Sequence, residues 1–89
     1  MRVYSREDGY LYLKPGDYGF DKKVGHWVVR PPTKGCHAGG IPNHIVIEHE
    51  DGTITVSPSI LLQEPDPNNP GIFISSWHGY LEKGIWREV

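Results

Sequence analysis

The chain has 89 residues, nine basic against eleven acidic side chains, and a formal charge of −2 at pH 7. A chain of this length forms one domain with a thin core, because it buries only about 60–65% of its unfolded surface. The near balance of charge argues against a nucleic-acid partner, whose phosphates favour basic clusters. The apolar runs are too short to span a bilayer and no basic-plus-apolar leader is present, so we expect neither a membrane segment nor secretion.

Glycine and proline dominate the local pattern. Eleven glycines and eight prolines interrupt the chain so often that no apolar stripe with helical spacing survives. Short alternating runs and an aromatic content of 11% remain. These features predict a single mostly β domain over residues 1–89, an antiparallel sandwich or small barrel built from β-hairpins with little or no helix.

The first half of the chain contains several short strand-like runs. They are expected at Arg2–Ser5, Tyr10–Leu13, Tyr18–Phe20 and His26–Arg30. Pro31-Pro32 should end the last of these, because proline cannot donate a ladder hydrogen bond. A glycine-rich loop, Thr33–Asn43, follows.

The stretch His44–Ile60 predicts the central hairpin of the domain. Asp51-Gly52 favours a two-residue type I′ turn between runs of β-branched residues. That turn would place Glu48 opposite Thr55. It would also put a set of four aliphatic residues on the buried face, namely Ile45, Ile47, Ile54 and Val56.

Beyond a corner at Ser57-Pro58-Ser59 the chain should return to the core and then leave it again. Gln63–Gly71 holds three prolines and two asparagines in nine residues and predicts an exposed loop. Ile72–Ser75 and Trp77–Leu81 indicate one bulged strand or two short ones.

The carboxyl-terminal segment predicts a second hairpin and a candidate binding surface. A three-residue turn ending at Gly84 would place Tyr80 opposite Trp86 on the face that carries His78. Rigid aromatic pairs outside a core are typical interface anchors. The candidate surface therefore comprises Trp77, His78, Tyr80 and Trp86, and the alternative is that the aromatic pair belongs to the core.

A candidate metal site is formed by Cys36, His37, His44 and His78. Thiolate and imidazole are the ligands that suit zinc, which would either stabilise this small domain or, with an open position, support a zinc-dependent hydrolase. The alternative has Cys36 as a small buried residue and the histidines as hydrogen-bonded surface groups. Neighbouring Cys36 and His37 rarely adopt the geometry of a nucleophile and base, so no catalytic residue is assigned.

The glycine-rich loop offers a candidate ligand site of another kind. Backbone N–H groups near Gly35, Gly39 and Gly40 are candidates for an anion-binding nest. The loop lacks the G-K-[ST] signature of a phosphate loop, so a plain connection is the alternative. A small-molecule sequestering protein would need a pocket between this loop and the aromatic face.

Two motifs carry a family resemblance. Thr55, Pro58, Ser59 and Ile60 form T-x-x-P-S-I, and residues 77–86 form W-H-G-Y-L-x-x-G-x-W. The chain resembles a family of small, functionally uncharacterised proteins found mainly in bacteriophage and prophage genomes. Many members carry a cysteine just before the later histidine, which suggests a zinc ribbon, whereas Trp77 stands there in this chain.

The leading functional expectation is a small phage-encoded accessory protein that acts by non-catalytic binding. The small size, the missing catalytic constellation and the candidate anchors Tyr80 and Trp86 favour a host or phage protein as partner. Such a protein would be a host-defence antagonist or a virion or assembly factor, located in the host cytoplasm or the virion. No cofactor other than zinc is implied. The sequence leaves a homo-oligomer open.

Overall fold

The structure is a computed structural model that describes residues 1–74 and 76–89 in full and residue 75 through its backbone. It contains eight strands: β1 (Tyr18–Asp21), β2 (His26–Val29), β3 (Gly39–Gly40), β4 (Ile45–Glu48), β5 (Ile54–Ser57), β6 (Ile60–Pro65), β7 (Phe73–Glu82) and β8 (Ile85–Glu88). They form three antiparallel sheets with the orders β1-β2-β3, β4-β5 and β6-β7-β8. The predicted mostly β fold is confirmed in its sandwich-like form, since the sheets do not close into a barrel.

All three sheets contribute to one core. Its fully buried apolar side chains are Tyr18, Val29, Cys36, Ile41, Ile54, Val56, Ile60, Trp77 and Leu81. The smallest dimension of the molecule is 23 Å. None of the described residues belongs to a helix long and apolar enough to cross a membrane.

Two predicted amino-terminal strands are not strands. The Arg2–Ser5 segment makes only an isolated parallel bridge from Arg2 to Tyr18, and Tyr10–Leu13 is irregular. Arg2 instead packs its guanidinium against the Trp27 ring, 4.5 Å from the centroid, and pairs with Glu48 at 2.8 Å. The alternation of tyrosine and leucine in the second segment was therefore a misleading strand signal.

The central hairpin forms, but its predicted register is wrong by one residue. Glu48 lies opposite Ile54 and Ile47 opposite Thr55, because the loop has three residues, Glu50 to Gly52, rather than two. The N–H of Gly52 donates to the carbonyl of His49, and Gly52 has a φ of 87°. A three-residue loop with a left-handed glycine is the next most common hairpin connection after the primed turns.

The changed register alters the two faces of this hairpin. Ile54 and Val56 are buried as predicted, whereas Ile45 and Ile47 point to the opposite face and are 67% and 51% exposed. Side chains alternate along a strand, so a slip of one residue moves every side chain of β4 to the other face.

The loop of the terminal hairpin is one residue shorter than predicted, whereas the loop of the central hairpin is one residue longer. Glu82 lies opposite Ile85 and Leu81 opposite Trp86, so the loop is the two-residue pair Lys83-Gly84. Both loop residues have positive φ, 47° and 77°. This is the backbone conformation of a type I′ turn. The predicted pairing of Tyr80 with Trp86 is therefore wrong.

The Lys83-Gly84 turn joins the three sheets. The Gly84 N–H donates to the carbonyl of Ile54 at 3.0 Å, and the Lys83 N–H donates to Thr55 Oγ1 at 2.9 Å. A Cβ at Gly84 would lie only 2.9 Å from both Thr53 Cγ2 and the Tyr18 hydroxyl. The turn thus packs closely against β1 and β5 at once.

The predicted loop Gln63–Gly71 starts later than expected. Strand β6 continues to Pro65, where a register irregularity against β7 ends the regular pairing. Asp66 then organises the turn, because its carboxylate accepts hydrogen bonds from the Asn68 N–H and the Asn69 side chain. Strand β7 is one continuous strand from Phe73 to Glu82.

We predict that Gly84→Ala destabilises the protein more than Gly25→Ala does. Both glycines have positive φ, 77° and 79°, so both variants carry left-handed strain of about 1–2 kcal/mol. A Cβ at Gly25 meets no described atom within 4 Å, whereas at Gly84 it overpacks Thr53 and Tyr18 and raises the expected loss to about 2–4 kcal/mol. Urea denaturation of both variants measures the difference, and equal losses would contradict the junction described above.

We also predict that Thr53→Val raises the pKa of Asp51. The Thr53 hydroxyl donates to Asp51 Oδ1 at 2.6 Å, and this bond together with the Thr53 backbone N–H holds the pKa of that carboxyl below its usual value. Because the pKa of Asp51 is lowered in the folded protein, its ionised carboxylate stabilises the turn at pH values above the ordinary carboxyl pKa. This stabilisation is lost as the pH falls through the folded-state pKa of Asp51. NMR titration measures the shift.

Asp66 provides the internal reference for that titration. Its pKa is also lowered, by Asn69 and the Asn68 backbone, and it has no bond to Thr53. The Asp66 pKa should therefore stay constant in Thr53→Val. An unchanged Asp51 pKa would show that the hydroxyl contributes nothing to the turn.

Candidate functional site

A groove runs between the glycine-rich loop and strand β6. Residues 36–40 line one wall, residues 61–65 line the other, and Trp77 completes the lining of a cavity of about 530 Å³. This volume falls in the range of small-ligand sites, about 300–1,000 Å³. We call it the β3–β6 groove, because each wall contains a strand that is the edge of its sheet.

The β6 wall presents unpaired peptide groups to the groove. In the β7–β8 ladder the Val89 N–H donates to the His78 carbonyl, so the peptide groups of Trp77 and Gly79 turn the other way, toward β6. Hydrogen-bonding direction alternates along an antiparallel strand. Leu62, which lies opposite Trp77, therefore faces β7, and the peptide groups of Leu61 and Gln63 face away from it.

The same alternation applies to the opposite wall. The Ile41 N–H donates to the Trp27 carbonyl at 2.9 Å, so the peptide groups of Ile41 face β2. Gly39 lies two residues earlier, opposite Val29, and its peptide groups face β2 as well. The peptide groups of Gly40 consequently turn away from β2. The groove therefore lies between two strands whose outward peptide groups are open to a further strand.

Side chains give the groove a mixed chemistry. At one end His37 Nδ1 approaches Glu64 Oε2 across the groove, at 3.8 Å, and both side chains are largely accessible. Leu62 packs against β3, since a Cβ at Gly39 would lie 2.7 Å from Leu62 Cδ2. The groove thus combines a carboxylate at its mouth with apolar walls.

Trp77 supplies an unpaired donor beside this groove. The residue is 2% exposed, and its indole N–H is buried without a hydrogen-bond partner among the described residues. Buried polar groups are almost always paired, and an orphan donor costs about 1–3 kcal/mol. Its ring meets Trp86 edge to face, with centroids 5.4 Å apart.

The four predicted metal ligands fall into two pairs. Cys36 and His37 line the groove, whereas His44 and His78 meet at Ser59, where their Nε2 atoms lie 3.0 Å from its carbonyl and hydroxyl oxygens respectively. Among the residues that the structure describes, no group of three or more potential ligands is placed to hold a metal ion. A zinc site built on all four residues stays a prediction.

The candidate binding surface is divided by the observed register. His78 and Tyr80 lie on the outer face of the β6-β7-β8 sheet, where Tyr80 stacks with Arg87 at 4.7 Å. Trp77 is buried, and Trp86 faces inward and donates its indole N–H to the Gly16 carbonyl at 3.0 Å. The two tryptophans therefore do not lie on the outer face with His78 and Tyr80.

Of the three loop glycines, Gly39 and Gly40 line the groove and form β3, whereas Gly35 lies outside the lining. Sequence reasoning missed Leu61, Gln63 and Glu64, because their importance comes from the position of β6 at a sheet edge. The prolines that follow were the available signal, since they limit pairing to one side of the segment.

No protein-family model, curated protein or solved structure matches this chain. The binding proposals below are therefore argued from the geometry of the molecule itself.

Proposed function

We propose that this chain is a small phage-encoded accessory protein that binds an extended segment of a protein partner in the β3–β6 groove, without catalysing a reaction. The observation that supports this proposal is the pair of open strand edges facing one cavity. Strand addition uses main-chain hydrogen bonds for affinity and side-chain pockets for specificity, and both components are available here.

The orientation of β6 suggests how a partner segment would bind. An added strand would hydrogen-bond to the peptide groups of Leu61 and Gln63 on one side and approach Gly40 on the other. Alternate side chains of that segment would point toward Leu62 and Trp77, which favours apolar residues there. The Glu64 carboxylate at the mouth favours a basic residue at the corresponding end.

Several features support binding rather than catalysis. Cys36 is buried, with 6% of the residue exposed, which limits the access of a substrate to its thiol. The histidines at Ser59 use Nε2 in bonds to its carbonyl and hydroxyl oxygens. The phage assignment, and with it a location in the host cytoplasm or the virion, depends on the resemblance carried by Thr55, Pro58 and Ser59 and by the later W-H-G-Y-L segment.

A second candidate function is sequestration of a small molecule in the same groove. It is favoured by one observation, a cavity of ligand size that Trp77 helps to line. A planar ligand would contact the apolar walls and replace water in the groove. The lining combines the glycine-rich loop with Trp77, whereas Tyr80 and Trp86 of the predicted aromatic face are not among the lining residues.

We predict that Gln63→Pro weakens capture of the partner about tenfold, whereas Gln63→Thr does not. Proline removes the outward N–H but leaves the β6–β7 ladder intact, because residue 63 does not donate to β7. Loss of one strand hydrogen bond, together with the partner carbonyl left unpaired, corresponds to about 1–2 kcal/mol. Tagged protein expressed in infected host cells supplies the complexes, and quantitative mass spectrometry measures recovery.

The threonine variant is the matched control, since it keeps the N–H and changes the same exposed side chain. Both variants should retain the melting temperature of the wild type within a few degrees. Equal recovery by the two variants would exclude strand addition at β6. Absence of any specifically enriched protein would argue against the binding function itself.

For the small-molecule alternative, we predict that protein purified from its host without dialysis carries a non-covalent mass in native mass spectrometry. Ala38→Trp would fill the groove and remove that mass, whereas Lys34→Trp, outside the lining, would retain it. A bare wild-type mass would overturn this alternative. Gln63→Pro separates the two functions, because it removes a strand donor without filling the cavity.

A further inference from the structure

Strand β4 is a second open edge, and it carries two exposed isoleucines. It pairs only with β5, in a two-stranded sheet. Ile45 and Ile47 are 67% and 51% exposed on the face that points away from the core. Soluble proteins usually protect such an edge with charged side chains, a proline or a bulge. In β4 the charged residue is Glu48 at its end, paired with Arg2 at 2.8 Å, and residues 45–47 carry no such protection.

The free peptide groups of β4 can be assigned from the hairpin. The His49 N–H donates to the Thr53 carbonyl at 2.8 Å, so odd-numbered residues of β4 face β5. The N–H and C=O groups of Val46 and Glu48 therefore point outward, to the open edge. Ile45 and Ile47 have their peptide groups in the ladder with β5 and only their side chains free.

We propose that β4 pairs with β4 of a second copy of this chain, antiparallel and with Val46 on the twofold axis. In this register Val46 exchanges two hydrogen bonds with Val46 of the second copy. Ile45 lies opposite Ile47 of the second copy, and Ile47 lies opposite Ile45 of the second copy. The four isoleucines therefore form one cluster. The two β4-β5 sheets become a single four-stranded sheet.

The sequence of β4 favours a second copy over an unrelated partner. A twofold interface must be self-complementary, because each patch meets the same patch. The pattern Ile45-Val46-Ile47 meets this requirement, with valine at the centre and isoleucines flanking it. Across the axis His44 lies opposite Glu48 of the second copy, so like charges do not meet.

This inference does not depend on the function proposed for the β3–β6 groove. The two surfaces use different strands, and pairing at β4 leaves the edges of β3 and β6 open. Failure of one proposal therefore leaves the other standing.

Sedimentation equilibrium of the full chain tests the proposal directly. We expect the wild type to reach twice its monomer mass of 10.1 kDa as its concentration rises to about 1 mM. Hydrogen exchange read by NMR should show amide protection of Val46 and Glu48 that increases with concentration. Protection of Ile45 and Ile47 should be independent of concentration, because their amides bond within the chain.

A pair of charge variants tests the register. Ile45→Lys with Ile47→Lys places four ammonium groups in one cluster, and we expect a monomer at all concentrations. Ile45→Glu with Ile47→Lys sets opposite charges across the axis, and we expect the dimer to return at least in part. Ile85→Lys with Val89→Lys is the matched control, since Ile85 on β8 and Val89 directly after that strand are both exposed apolar positions, and it should associate as the wild type does.

A monomeric wild type at 1 mM would overturn the proposal, as would a dimer that persists in the double lysine variant of β4. A further outcome is that the double lysine variant abolishes the dimer while the glutamate-lysine variant fails to restore it. That result would overturn the register centred on Val46. Thermal melts of every variant verify the fold, which these exposed substitutions should leave intact.

Discussion

The docking of the Lys83-Gly84 turn onto β5 is the constraint on which the rest of the structure depends. Each sheet has only two or three strands, and sheets of this size are marginal in water unless they pack against another element. The Gly84 N–H bond to Ile54 and the close approach to Tyr18 bring all three sheets to one point. This contact fixes β7, and β7 in turn directs Trp77 and Leu81 into the shared core.

Local sequence predicted the hairpins but not their registers. Alternating β-branched residues and the glycines at 52 and 84 identified both hairpins, since those signals act within a few residues. Those signals do not fix the loop lengths. Lys83 has a positive φ and its N–H reaches Thr55 on another strand, and the Asp51 carboxylate bonds Thr53 within the longer loop. Because strand alternation has a period of two, each one-residue difference reversed a predicted face.

The candidate site was predictable only in part, for a related reason. Gly39, Gly40, Cys36 and His37 attracted notice through their chemistry, and they line the groove. Leu61 and Gln63 matter through their backbone, which no side-chain pattern reports. The family resemblance implies a cysteine where Trp77 stands, and here the indole of Trp77 and the thiol of Cys36 are both buried beside the same cavity.

The division into three small sheets also explains why binding is the favoured function. A closed barrel has no strand edges, whereas this arrangement leaves several edge strands, among them β3, β4 and β6. The edges of β3 and β6 face one groove, whereas β4 lies outside that groove and is symmetric in pattern. A dimer formed through β4 would carry two grooves. Against a partner present in many copies, such as a repeating virion subunit, two linked sites can raise the apparent affinity about 10²–10⁴-fold when the geometry allows both to engage.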